Sequence, residues 1–394
     1  YNTIFQKFIF CYMIYFDNSA TSLTKPNSVK RAVLDALENY TANPGRSGHK
    51  KSMQVAEKIF DTREALKRIF NAKNYEVIFT KNCSEALNLA ILGSLKPKDH
   101  IIISCYEHNS VLRAIEHLKK DGLEVSVINS DLADFSNHLE QSIKPNTKMV
   151  ICTLVSNVTG EYSDSQSIGN FCKSHNLIYL ADGAQASGHI KLDLMNSNID
   201  LYCFAGHKGM MSIPGVGGLI IKKGLKLNHI MFGGTGTESE SLDQPNDIPE
   251  GYEVGTLPSI SIISLKAGIE YIEKNFSKII EKEQKLTQYL MKNLKKLKFL
   301  TIYSKDDSKN VISFNIKNLD SSYLADLLNN KFHICVRAGL HCAPLIHKKL
   351  NTLNTGTVRV SLDYNNSFEE IDRLIYALKS IYSSLSLAKA YKEC

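Results

Sequence analysis

A succession of short apolar runs most constrains the fold of this chain: "EVIFT", "HIIIS", "EVSVI", "MVICTLV", "LIYLAD", "DLYCFA" and "GGLIIKK" follow one another between residues 76 and 223. Helical or polar segments separate several of them. Runs this uniformly apolar belong to strands buried on both faces, and strands joined by crossovers form a mostly parallel sheet covered by helices. The expected class is therefore α/β. A chain of 394 residues exceeds what one hydrophobic core usually serves, so a second unit is expected. The reading gives a large unit over residues 13–260, whose first residues are candidates for packing on the small unit, and a smaller α+β unit over 261–394. That small unit would hold a lysine-rich helix, strand "NVISFNI", a helix near 322–329, strands "HICVR" and "TVRVSL", and a terminal helix. Residues 1–12 read as an upstream extension, with Met13 as the functional start.

In a parallel sheet, ligands bind beyond the carboxyl ends of the strands. The polar residues just past each run are therefore the informative ones. They include Cys83-Ser84-Glu85, Glu107-His108-Asn109, Ser156-Asn157, Asp182-Gly183-Ala184-Gln185 and Gly206-His207-Lys208. A carboxylate at one strand end, a glutamine three residues on and a His-Lys pair at the next strand end suit a pyridinium cofactor. Asp182 would keep the ring nitrogen protonated, Gln185 would donate to the ring phenolate oxygen, and Lys208 would bond the cofactor covalently. Taken singly, Asp182 reads as a helix cap and Lys208 as a surface lysine. The loop "KNCSEAL" opens a helix whose free N–H groups, with the Cys83 thiol and Ser84 hydroxyl, can meet a phosphate. His108 can stack over a flat ring, and "PGVGG" lets the chain turn tightly after Lys208.

These motifs, with "YFDNSAT", "YEHNS", "SNVTGE", "YEVGT", "RAGLHC" and "VRVSL" in this order, resemble the class V aminotransferases of PLP-dependent transferase fold type I, in the group containing cysteine desulfurases. The resemblance runs from about Met13 to the terminal helix. It implies pyridoxal 5′-phosphate as cofactor and L-cysteine as substrate. Cys83 and Ser84 then correspond to the phosphate-cradling pair, His108 to the ring-stacking histidine, and Asn157 to a contact for cofactor oxygen and substrate carboxylate. Asp182 and Gln185 match the ring partners, His207 a phosphate contact, and Lys208 the cofactor lysine. Thr256 resembles a phosphate contact lent by a second subunit, implying a homodimer. Arg359 corresponds to the clamp for the substrate carboxylate, a task suited to planar bidentate donors. Cys83 replaces a common threonine and Ala205 a common serine, so phosphate hydrogen bonds are expected to be fewer.

Cys342, in "RAGLHC", resembles the loop cysteine that takes sulfur from bound cysteine as a persulfide and passes it to an acceptor protein, for iron–sulfur cluster or other thio-cofactor biosynthesis. Thiolate is the nucleophile, and Arg337 and His341 are its expected electropositive neighbours. The separation of Cys342 from Arg359 suits the short-loop branch of that group. Alternatives are a packing cysteine, or a zinc set of Cys335, His341, Cys342 and His347, whose spacing lacks a C-x2-C pair. At the level of function, the alternatives are a selenocysteine lyase, or a class V aminotransferase or epimerase in which Cys342 is incidental, or a non-catalytic protein that kept the fold.

Composition excludes other classes. The net charge is +7, but the lysines cluster only around Leu286, Leu290, Leu294 and Leu297, as on the solvated face of a helix, and no nucleic-acid module accompanies them. Nine cysteines at irregular spacing are the pattern of a reducing compartment such as the cytoplasm, and Cys105, Cys152 and Cys203, in apolar runs, read as packing residues. The apolar run Phe8–Phe16 is too short for a membrane span. No metal site is expected.

Overall fold

The computed structural model describes residues 13–45 and 47–393; the expected extension over 1–12 lies outside the described residues. The chain enters through β1 (Ile14–Tyr15), α1 (Asn27–Asn39) and α2 (Lys50–Ile69). Strands and helices then alternate: β2 (Tyr75–Thr80), α3 (Cys83–Ser94), β3 (His100–Ser104), α4 (Asn109–Lys119), β4 (Glu124–Ile128), β5 (Thr147–Thr153), α5 (Ser165–Ser174), β6 (Ile178–Asp182), β7 (Leu201–Ala205) and β8 (Gly217–Lys222). These strands form a seven-stranded sheet in the order β2, β8, β7, β6, β5, β3, β4. It is parallel from β7 to β4, and β8 runs antiparallel to both its neighbours. Because side chains alternate along a strand, successive residues feed two different cores. Ile102, Val150, Tyr179 and Tyr202 pack with α2 residues on one side, and Ile101, Met149, Ile151 and Leu180 with α3 and α4 on the other.

The remainder comprises α6 (Ser259–Leu294), β9 (Leu300–Ile302), β10 (Val311–Ile316), α7 (Ser321–Phe332), β11 (Ile334–Cys335), β12 (Arg337–Gly339), α8 (Pro344–Lys349), β13 (Thr357–Ser361) and α9 (Phe368–Glu393). An antiparallel sheet of β12, β13, β10 and β9 carries its own core, built with Ile14 and Phe16 from the start of the chain. β1 pairs in parallel with β11. The N-terminal segment therefore docks on the small unit, where Ile14 and Phe16 are wholly buried.

Three local readings differ from the structure. Helical spacing over about 260–274, followed by a lysine-rich helical stretch, reads from the sequence as two helices, but the structure has the single helix α6. The one glycine inside it, Gly268, is there because a Cβ would come within 2.2 Å of the Met210 carbonyl, and no proline interrupts it. Its first half, to Ile279, packs with the large sheet, whereas Leu286, Leu290 and Leu294 pack with the small one. Residues 262–279, read as part of the small unit, thus lie in the large core. The run "HICVR" is split between β11 and β12, which belong to different sheets. Met53 and Phe60 of α2 share helical spacing with Ala56, Ile59, Leu66, Ile69 and Phe70, which suggests one buried stripe, yet they stand 58% and 60% exposed.

Candidate active site

Residues at the strand ends converge on one cleft, lined by Asn82, Cys83, Ser84, His108, Asn157, Asp182, Gln185, His207 and Lys208 among others. Local chemistry positions each of them. Asn82 caps α3 by accepting from the Glu85 N–H at 3.0 Å, and the Glu85 carboxylate reaches back to the Lys81 N–H at 2.6 Å. This reciprocal capping leaves the N–H groups of Cys83 and Ser84 without partners among the described residues. Gly217 is required beside them, because a Cβ there would lie 2.7 Å from the Cys83 nitrogen. His108 caps α4, its Nδ1 accepting from the Ser110 N–H at 3.0 Å, and the Ser84 and Ser110 hydroxyls are 2.6 Å apart.

Asp182, at the end of β6, is 3% exposed. Its Oδ1 accepts from the Ala184 N–H at 2.9 Å, and the Cys83 thiol donates to it at 3.7 Å. The Cys83 side chain thus faces the carboxylate, so only its N–H points to an anion at the helix start. Burial and the Asp182 charge push the Cys83 thiol well up, keeping it neutral. Burial pushes the Lys208 ammonium down, opposed by Cys83 and Asp182 and reinforced by Arg359 and Arg337. Burial, with Lys208 and Lys25 beside it, brings His207 down to about 4. Burial likewise lowers His108, against the pull of Asp182. Beneath the cleft lies Glu107, wholly buried, whose Oε1 accepts from the Ser104 hydroxyl and the Thr153 N–H. Burial pushes its carboxyl up to about 8.

Cys342 is on a neighbouring surface that shares Ser84, His108 and Ser110 with the cleft and adds Arg113 and His117. Its loop is strained and pinned. His341 and Cys342 both have left-handed backbone, φ 48° and 59°, uncommon for non-glycine residues and typical of functional sites. The Cys342 carbonyl accepts from the Asn109 N–H at 2.6 Å, and the Asn157 side chain donates to the His341 carbonyl at 2.6 Å. Arg337 Nη2 lies 3.8 Å from Cys342 Sγ. Behind the loop, Lys349 at the end of α8 donates to the Ser130 carbonyl at 2.5 Å and to Asp131 at 2.7 Å.

His341 does not supply charge to Cys342. Its ring is buried against Thr357, and burial together with Arg359 brings it down to about 2. It is neutral, and Arg337 alone of the two expected neighbours is a cation beside the sulfur. The zinc alternative also fails on geometry: His347 is bonded to Thr352, Cys335 sits near Asn329, and among the described residues no group of metal-binding side chains converges. Thr256 lies outside the Asp182 cleft, in an adjoining one with Lys81, Asn82 and His207. Arg359, on β13, is 1% exposed; Nη1 donates to the Asn157 carbonyl at 3.0 Å and Nη2 to Asp17 at 2.6 Å.

The sequence reading gave no role to the segment 17–25, which straps the site. Ser19 accepts from Gln185 Nε2 at 2.9 Å, and Ser22, Thr21 and Lys25 all donate to the His207 carbonyl. The available signal was "YFDNSAT" itself, a run of small polar residues directly after a strand. Glu107, although it stands at a strand end in "YEHNS", has no role in the sequence reading either.

The donor set fits pyridoxal 5′-phosphate. A desolvated amine at Lys208 meets an aldehyde, a buried carboxylate at Asp182 meets a ring nitrogen, and the unpartnered N–H groups at the start of α3 meet a phosphate. The aminotransferase class-V model matches residues 14–374. A probable cysteine desulfurase of Pyrococcus abyssi is 36% identical over 393 residues, covering 95% of each chain, and one of Methanothermobacter thermautotrophicus is 32% identical, covering 93% of this chain and 94% of that one. Among solved structures, the apo cysteine desulfurase of Thermococcus onnurineus NA1 superimposes with a TM-score of 0.88 at 33% identity, covering 94% of this chain and 95% of that one. With a matching family model over nearly its whole length and relatives above 30% identity, the chain belongs to the aminotransferase class-V family, whose members of this group depend on pyridoxal 5′-phosphate.

Proposed function

We propose that this cysteine desulfurase moves the sulfur of L-cysteine onto Cys342, releasing L-alanine. Cofactor and substrate would be held by the residues that line the cleft: Lys208 bonds the cofactor, Asp182 faces its ring nitrogen, and Cys83, Ser84 and His207 surround its phosphate. Gln185 meets the ring oxygen, and His108 stacks on the ring. When bound, the cofactor supplies an electron sink at the substrate's α-carbon. The remaining work belongs to the chain. Arg359 holds the substrate carboxylate beside Asn157. Lys208, whose charged form burial disfavours, takes the α-proton. The Cys342 thiolate attacks the substrate Sγ; the new S–S bond forms as the Cβ–Sγ bond breaks, and protonation of Cβ completes alanine. The balance is L-cysteine plus one enzyme thiol giving L-alanine plus one enzyme persulfide, which an acceptor protein then takes for iron–sulfur or other thio-cofactor assembly.

The observation that carries this reading is the placement of Cys342: a non-glycine residue in left-handed backbone, on a loop bonded to Asn109 and Asn157, with a guanidinium 3.8 Å from its sulfur. A packing cysteine needs none of these. A homodimer is part of the proposal, with Thr256 lent across the interface. Leu34, Leu37, Met53, Phe60 and Phe232, each more than half exposed, support it. The seven described cysteines are all free, which fits a reducing compartment such as the cytoplasm, and no described helix is long and apolar enough to cross a membrane. The test is a panel of L-cysteine and L-selenocysteine with wild type, Cys342→Ser and Lys208→Ala. Sulfide and alanine release from L-cysteine should be lost in Cys342→Ser while its cofactor absorbance stays. Lys208→Ala should lose the covalent cofactor band. Wild-type sulfide release by Cys342→Ser would refute the nucleophile assignment.

A further inference from the structure

Arg359 is the largest of the fully buried side chains, at 1% exposure, and the structure already gives it a carboxylate. Nη2 donates to Asp17 Oδ1 at 2.6 Å, Nη1 to the Asn157 carbonyl, and the buried Nε has no partner among the described residues. The Asp17 side chain remains 22% exposed. Its backbone is fixed: the Ser361 N–H donates to the Phe16 carbonyl at 2.7 Å, the Ser19 N–H donates to the Ser361 hydroxyl at 2.9 Å, and Asp17 itself bridges to Ser361. Asp17 thus presents its carboxylate from the solvent side to a guanidinium that has no other counter-ion among the described residues.

We infer that Asp17 is the resting counter-ion of Arg359, and that the α-carboxylate of the substrate displaces it. This rests on the reading of Arg359 as the carboxylate clamp. A buried guanidinium without an anion is costly, so an enzyme that binds a carboxylate with such a residue must either tolerate a bare charge between turnovers or provide a substitute. Asp17 is the substitute. Its partial exposure lets it swing to water when a second carboxylate arrives, and the unpartnered Nε, adjacent to the Nη2 it releases, gives the incoming group two parallel donors. Asp17 therefore sets the carboxylate specificity of the site: a ligand must replace a carboxylate with a carboxylate, and an amine or thiol lacking one leaves Asp17 in place.

Asp17→Asn removes the competing charge at the same size, and Asp17→Ser does so with a smaller side chain. Each is purified as holoenzyme, and 3-mercaptopropionate, which has the carboxylate and thiol but no amine, is titrated as an inhibitor, with cysteamine as the carboxylate-free control. The expected result is tighter inhibition by 3-mercaptopropionate, on the order of tenfold, with a lower KM for L-cysteine and unchanged affinity for cysteamine; Asp17→Glu should behave as wild type. Unchanged or weaker 3-mercaptopropionate inhibition in both uncharged variants would overturn the inference, and so would loss of folded protein in both, which would make Asp17 an anchor only. Arg359→Lys is run beside them. If it leaves 3-mercaptopropionate inhibition at the wild-type level, the clamp reading fails, separately from the role of Asp17.

Discussion

Glu107 offers a quantitative test of the electrostatics beneath the site. Burial holds its carboxyl up, at about 8 against an ordinary 4.5, although the Ser104 hydroxyl and the Thr153 N–H both pull it down. Between those two pH values the folded protein keeps a proton that the unfolded chain has released. The native state therefore binds more protons, and stability falls as pH rises through this window. At about 1.4 kcal/mol per pH unit, the loss is about 3 kcal/mol by pH 7 and about 5 kcal/mol by pH 8, beyond which it levels off. Glu107→Gln keeps the oxygen that accepts from Ser104 and Thr153 and does not titrate. Thermal unfolding of wild-type and variant holoenzyme from pH 5 to pH 9 is the assay. Midpoints should nearly coincide at pH 5 and diverge in favour of the variant, by about 5 °C at pH 8 and above at roughly 1 °C per kcal/mol for a chain of this length. A gap that stays constant with pH, or that widens toward acid, would refute a protonated Glu107.

Three further outcomes follow from the geometry. Arg337→Ala removes the cation 3.8 Å from Cys342 Sγ and should slow alkylation of that thiol by iodoacetamide several-fold at neutral pH, with cofactor absorbance unchanged; equal alkylation rates would place the guanidinium outside the sulfur's chemistry. Lys349→Met breaks the bonds to Ser130 and Asp131 behind the Cys342 loop and should cost about 1–3 kcal/mol, read as a lower unfolding midpoint, together with a fall in kcat at unchanged KM. His189 is held up by Glu283, 2.9 Å away, whose charge and hydrogen bond outweigh the opposing effect of burial. Its stabilisation is complete below the ordinary histidine value of 6.5 and is lost as pH rises through the higher folded value. The unfolding midpoint should therefore drop above neutral pH, and Glu283→Gln should flatten that limb of the profile.

The legible parts of this molecule are those fixed by local pattern. The apolar runs from "EVIFT" to "GGLIIKK" became the seven-stranded sheet because a strand buried on both faces leaves little room for polar residues, the partly exposed edge strand β4 being the exception, and Asp182, Gln185 and Lys208 line one cleft because the residues just past such strands face a common rim. What escaped depends on contacts between distant parts of the chain. Asp17 meets Arg359 across 342 positions, and nothing near either residue announces the other. His341 looks polar and solvent-facing in "RAGLHC", yet packing against Thr357 buries and neutralises it. Helix α6 was cut short because its lysine-rich half resembles a separate surface helix. The change of neighbours from the large core to the small one happens along its length and leaves no break in the sequence. Met53 and Phe60 fit a buried stripe by spacing alone; which side of α2 meets α6 and which meets solvent is decided by the tertiary arrangement.

The continuity of α6 also limits how the molecule can breathe. A loop between the two cores would act as a free joint, but here a rigid spar is rooted at one end among the partners of the large sheet and at the other among those of the small one. Excursions of the cysteine toward or away from the lysine must then be paid in helix flexure, which favours strokes of small amplitude. Under the proposed function, an acceptor would come to a fixed thiol rather than wait for a thiol that travels.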